Sequence, residues 1–223
     1  MRHATDIAAL ALTVAGLGLI FQDAGVLPLW DALWVLALLA AGYAGFYSVF
    51  GLARARFCAG AALAMFAALE IFNVVFGWPL GPVRFAGPEI FRVAGRFSML
   101  PPLFATGLLL LSARAVAIGF PSWGGRMFAG GVAMLFSLTF WNGWVFFEKV
   151  RLWWLWNPWH ETVGPLTGVS IGGSLGLLAY LVARTVPDDT ALKLKRWGWA
   201  TVLLAGLNVL FAAARTIAQL RAQ

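Results

Sequence analysis

Apolar runs of bilayer-spanning length recur seven times along this chain, and few charges interrupt them. A membrane helix needs about 20 mostly apolar residues. The runs expected to span are Ile7 to Phe21, Leu29 to Leu52, Phe57 to Phe76, Phe97 to Ile118, Met127 to Phe147, Gly164 to Val182 and Trp197 to Ala214. None alternates apolar and polar residues as a barrel strand does. The first run has the length of a signal-peptide core, but its flank offers only Arg2 and His3, with Asp6 close behind. It reads as a short, retained membrane helix. Seven helices use most of the 223 residues and leave short loops. The expected architecture is all-α, a polytopic membrane bundle of about seven transmembrane helices, with residues 1–223 forming a single domain.

Composition narrows the function classes. Hydrophobic residues make up 61% of the chain and charged residues 11%, less than half of the roughly 25% usual in soluble domains. That excludes a soluble enzyme, a disordered chain and a disulfide scaffold. The net charge of +7 comes from basic residues scattered at the ends of the apolar runs, where they meet lipid phosphates. There is no basic helix and no nucleic-acid motif, so membrane lipids are expected partners and nucleic acid is not. Cys58 is the only cysteine, which excludes an internal disulfide. Lys and Arg number nine on the side of the N-terminus and seven on the other, which favours a cytoplasmic N-terminus.

Ionisable and amide groups inside a bilayer each require a reason. Glu70 lies within the third run, and Asn73 follows one helical turn later on the same face. A carboxyl held away from water favours its neutral form and can then donate a proton, as a general acid must. The plainer reading is a helix-packing hydrogen bond, with Asn73 or an arginine of the next loop as partner. Asn142 and Asn208 lie inside the fifth and seventh runs, where an amide can join helices. Asp31 opens the second run and reads as a helix cap. The pairs Gly124-Gly125, Gly130-Gly131 and Gly172-Gly173 read as points of close helix approach.

Two loops fall on one side of the expected topology. Gly77 to Arg96 is rich in Gly, Pro and Arg, and Glu148 to Val163 crowds Trp153, Trp154, Trp156 and Trp159 into seven positions. Tryptophan favours the headgroup zone, so the second loop reads as an interfacial helix or re-entrant turn. The alternative is an aromatic wall for a long polyene or lipid tail. Glu148, His160 and Glu161 read as a solvated rim. With His3 and His160 the only histidines, a histidine-based metal site or bis-histidine haem is not expected. All three lysines lie in loops, which excludes a retinal Schiff base within a span. No phosphate loop, nucleophile elbow or HExxH pair is present. Neither a metal nor another cofactor is expected.

The segment Glu70 to Phe85, EIFNVVFGWPLGPVRF, resembles the signature E-x-x-G-x-x-x-G-x-P-F-G-x-Y-x-Y of integral-membrane carotenoid hydratases of the bisanhydrobacterioruberin hydratase type. Glu70, Gly77, Pro79 and Gly81 fall in register, while Asn73, Leu80, Val83 and Phe85 replace a glycine, a phenylalanine and two tyrosines. Arg96 to Leu111 then looks like that family's fourth span. A second likeness covers Phe140 to Gly176. Trp141-Asn142 stands where the family has Trp-Asp, Trp154 and Trp156 supply its W-x-W, and Gly164 to Thr167 lie near its G-V-P-x-x-N element. Order and spacing hold over about half the chain.

The resemblance implies water addition across the terminal double bond of an acyclic carotenoid in a prokaryotic inner membrane. It implies Glu70 as the acid, with Asn73 and Asn142 orienting it or the water. Trp141, Trp154, Trp156, Trp159, Pro79 and Gly81 would contact the polyene, and His160 and Glu161 would carry protons to the interface. No cofactor is required: a positioned acid protonates the alkene, aromatic faces stabilise the tertiary cation, and water attacks. The departures at Asn142, Val83 and Phe85 point the other way. They favour a rival, a non-enzymatic subunit that holds a carotenoid or lipid or packs against membrane-protein partners in a larger assembly.

Overall fold

The computed structural model describes residues 2–21, 28–77, 83–86, 91–118, 125–156, 160–183 and 199–221. Its architecture is an all-α bundle, with seven α-helices among the described residues. They are α1 (Arg2–Phe21), α2 (Pro28–Phe50), α3 (Leu52–Phe76), α4 (Leu100–Ile118), α5 (Gly125–Val145), α6 (His160–Ala183) and α7 (Trp199–Arg221). All seven expected runs fold as helices. Among the described residues, α2, α3, α4 and α7 hold stretches long and apolar enough to cross a membrane, and α1 and α6 hold shorter apolar stretches. The four long apolar helices fit a membrane protein.

Boundaries shift where local chemistry dictates. The fourth helix begins at Leu100 rather than Phe97, because Phe97–Ser98 (β3) pairs with Arg92–Val93 (β2) in a short ribbon. The Ser98 hydroxyl then accepts the Leu100 N–H at 3.2 Å. Pro101 and Pro102 follow in the first helical turn, where a missing N–H leaves no bond unmade. The third helix stops at Gly77, whose φ of 68° is left-handed and whose N–H donates to the Asn73 carbonyl at 2.8 Å. Glycine takes that conformation without a Cβ penalty.

Helix α4 is the axis of the bundle and packs against α2, α3, α5, α6 and α7. Its apolar stretch is 78% buried, against 22% for that of α3. The outward face of α3 carries Phe57, Ile71, Val75 and Phe76, all exposed, as a lipid-facing surface would. The core is aromatic. Trp34, Phe104, Phe147 and Phe211 form mutual ring contacts with centroids 5.2 to 6.5 Å apart.

Close helix approach is confined to particular glycines. A Cβ on Gly42 would stand 2.7 Å from the Gly107 carbonyl oxygen, which fixes the α2·α4 crossing. A Cβ on Gly172 or Gly176 would stand 2.8 Å from the Cα of Ser137 or Ala133 respectively. Small residues spaced four apart on both helices thus form the α5·α6 seam. Gly130 and Gly131 face open space, and Gly173 meets only the Ser137 hydroxyl at 3.5 Å, so the expected close contact holds for Gly172 and not for these three. Replacing Gly172 by Leu is expected to cost at least about 1–3 kcal/mol, the usual penalty for overpacking. Gly130→Ala is expected to leave stability unchanged or slightly raised. Thermal unfolding of both variants in mild detergent checks the contrast.

Candidate functional site

Glu70 lies on the buried stripe of α3 with Ala55, Ala62, Phe66 and Asn73. The stripe repeats at helical spacing and packs toward α4. Glu70 is 6% exposed and Asn73 1%. The Glu70 Oε1 atom is buried and accepts no hydrogen bond, a state that costs about 1–3 kcal/mol for a polar group. Of the next-loop arginines that could clamp it, Arg96 is exposed, and the side chain of Arg84 lies outside the described residues.

The carboxyl stands on the wall of a cleft whose empty space, counted out to its mouth, is about 510 Å³. Helix α3 supplies Phe66, Leu69 and Glu70; α4 supplies Pro101, Pro102, Phe104 and Ala105; α5 supplies Phe140 and Trp144; α6 supplies Ile171. The cleft exists because α3 leans on α4 and α2, while α5 and α6 pair with each other on another side of α4. Its wall is apolar by construction. The two prolines remove the N–H groups a helix start would present, and the Thr106 hydroxyl donates to the Pro102 carbonyl at 2.7 Å. Among the described residues Glu70 is the one ionisable side chain in the lining. Such a cleft sets one carboxyl among apolar and aromatic side chains.

The two loops expected on one side do meet. Val83–Phe85 (β1) pairs antiparallel with Trp154–Trp156 (β4), setting Val83 opposite Trp156 and Phe85 opposite Trp154. The Ala86 N–H donates to the Trp153 carbonyl at 2.6 Å. Of the two forms expected for the tryptophan loop, an interfacial helix or a re-entrant turn, the helix is not what forms over Trp154–Trp156. The loop's start is a π-helical turn over Phe146–Val150 that prolongs α5, its middle is a strand, and its end is already α6. His160 and Glu161 open α6. The side chains of Trp154, Trp156, His160 and Glu161 lie outside the described residues, as do Trp159, Pro79 and Gly81 altogether.

Asn142 and Trp141 are not in the cleft lining. The Asn142 amide donates to the Asn208 side-chain carbonyl oxygen at 2.7 Å, so the two half-buried amides join α5 to α7. Trp141 is half-buried against the core.

Sequence reasoning missed the polar centre of the loop. Asp31 is not a simple cap. Its Oδ1 accepts from Arg151 Nε at 2.9 Å and its Oδ2 accepts from Trp153 Nε1 at 2.8 Å. Arg151 also reaches the Leu19 carbonyl at 3.4 Å. Asp31 is 2% exposed, Arg151 3% and Trp153 fully buried, with Trp153 stacked 3.8 Å from Phe147. The partners are separated by 120 residues, so no local pattern signals the pair. Among the described residues no three His, Cys, Asp or Glu side chains converge as metal ligands would.

No family model, curated protein or solved structure matches the chain. The site is therefore read from its own chemistry.

Removing one partner of a buried ion pair leaves the other charge stranded, at a cost of about 3–5 kcal/mol. Asp31→Leu is expected to show that loss in thermal unfolding. The double variant Asp31→Leu, Arg151→Met is expected to recover much of it, because two apolar side chains of similar size leave no charge unpaired.

Proposed function

We propose that the chain is a multi-pass membrane protein that takes one end of an acyclic carotenoid or similar polyene into the cleft and hydrates its terminal double bond. The observation that carries this reading is the Glu70 carboxyl, one oxygen of which is buried without a hydrogen bond, in the lining of an otherwise apolar, ring-rich cleft. An unpaired carboxyl at that position has no packing role that an apolar residue would not fill better. A proton donor for an alkene needs such a place, since water or a cationic partner would hold the acid in its charged form.

The reaction closes without a cofactor. Glu70 gives its proton to the less substituted carbon of the terminal alkene, and the carbon–carbon π bond breaks to leave a tertiary cation. The ring faces of Phe66, Phe104, Phe140 and Trp144, which line the chamber, face a developing positive charge with their electron-rich side. A water molecule forms the new carbon–oxygen bond and returns one proton to the Glu70 carboxylate. Asn73, buried one turn along the same face, is the nearest candidate to orient the acid.

A second reading has its own support. Asn142, which stands where the resembled family has an aspartate, is engaged with Asn208. That position supplies no acid to the chamber, which favours a carotenoid- or lipid-holding subunit.

The test is expression in cells that accumulate lycopene. The expected product carries one added water and a tertiary hydroxyl. Glu70→Gln is expected to lower its yield by about 10²–10⁴-fold, the usual contribution of a general acid, while eluting as a folded protein in detergent. Unchanged lycopene from folded wild-type protein overturns the hydratase; pigment that co-purifies without turnover supports the holding subunit.

A further inference from the structure

Eight of the ten residues that line the chamber are buried: Phe66, Glu70, Pro101, Pro102, Phe104, Ala105, Phe140 and Trp144. The other two are Leu69, 37% exposed, and Ile171, half-buried. Both sit well inside their helices. Leu69 is followed by seven more residues of α3, and Ile171 lies midway along α6. The buried prolines close the chamber toward the end of the bundle, where α4 begins. The opening is therefore on the flank, between α3 and α6, at a level where the adjoining surface of α3 presents Ile71, Phe72 and Val75.

We propose that this opening is a lateral gate, and that the chamber is filled from within the bilayer by the end of a long apolar chain whose remainder stays among the acyl tails. An isoprenoid or polyene terminus fits these demands. It is apolar and narrow, and it requires no aqueous transfer. The cleft, about 510 Å³ only when counted out to its open mouth, need hold only the reacting end. The flanking Leu69 and Ile171 side chains meet the ligand first and set the width of what can enter. This inference rests on the reading of the chamber as a ligand site, but not on any particular reaction there.

Carbodiimides add to protonated carboxyls, and they come in lipid-soluble and water-soluble forms. The protein in lipid vesicles is treated with dicyclohexylcarbodiimide or with a water-soluble carbodiimide, and the adduct on the peptide that contains Glu70 is quantified by mass spectrometry. Glu70→Gln fixes the background. The lipid-soluble reagent is expected to label Glu70 severalfold more than the water-soluble one. Ile171→Trp at the gate is expected to lower that labelling severalfold. Leu177→Trp, on an exposed part of α6 outside the lining, is expected to leave it unchanged. Equal labelling by both reagents, or by the water-soluble one alone, overturns the gate, because the mouth then faces water. Absence of labelling by either reagent in folded protein overturns it too, because the chamber is then closed. Since labelling needs no turnover, failure of the hydration reading leaves this result intact, and success of hydration does not presuppose it.

Discussion

The buried contact between Asp31 and Arg151 organises one end of this molecule. It ties the start of α2 to the residue that follows the π-helical turn of α5. Trp153 takes the second carboxylate oxygen and stacks on Phe147, which belongs to the central ring cluster. A charge pair in an apolar interior is tolerated only when nearly all of its hydrogen-bonding capacity is met, and here a guanidinium, an indole and a main-chain carbonyl combine to meet it. The result is a fixed origin for β4, and through β4 for β1 and the long connection out of α3. Of the four helices that line the chamber, α5 is the one whose end this cluster holds.

The helices were legible because each is an apolar run of bilayer length, and that pattern needs no knowledge of neighbours. The same-side placement of the two loops followed from counting crossings, and the pairing of Val83–Phe85 with Trp154–Trp156 agrees with it. Glu70 was legible as an anomaly, a carboxyl in a run that should have none. What the sequence could not disclose depends on distances between helices. Asp31 and Arg151 meet across 120 residues. Asn142 could have faced the chamber or α7, and only the bundle decides that it meets Asn208. Gly130-Gly131 and Gly172-Gly173 look alike in sequence, yet only the first glycine of the second pair meets a neighbouring backbone.

The chamber itself has a simple origin. A bundle centred on α4 has more circumference than its neighbours fill, because α3 sits to one side with α2 while α5 and α6 close on each other through small residues. The gap that remains is lined by whatever those helices turn inward there. Ring side chains and prolines give it an apolar interior, and the single carboxyl gives it polarity at one point. Function on this fold depends on that one departure from uniform hydrophobicity more than on the architecture around it.

The small β1·β4 ribbon has a consequence for how deep the protein sits. Among the described residues the ribbon has two strands, and peptide groups left unpaired at an edge cannot rest in hydrocarbon. With the apolar helices in a bilayer, the ribbon belongs at the headgroup level or against protein, and its first strand starts seven residues after α3 ends. From Phe76 back to Glu70 is six residues, about 9 Å along a helix at 1.5 Å per residue. In that placement the chamber's carboxyl stands less than two helical turns from the end of α3 that leads toward the ribbon.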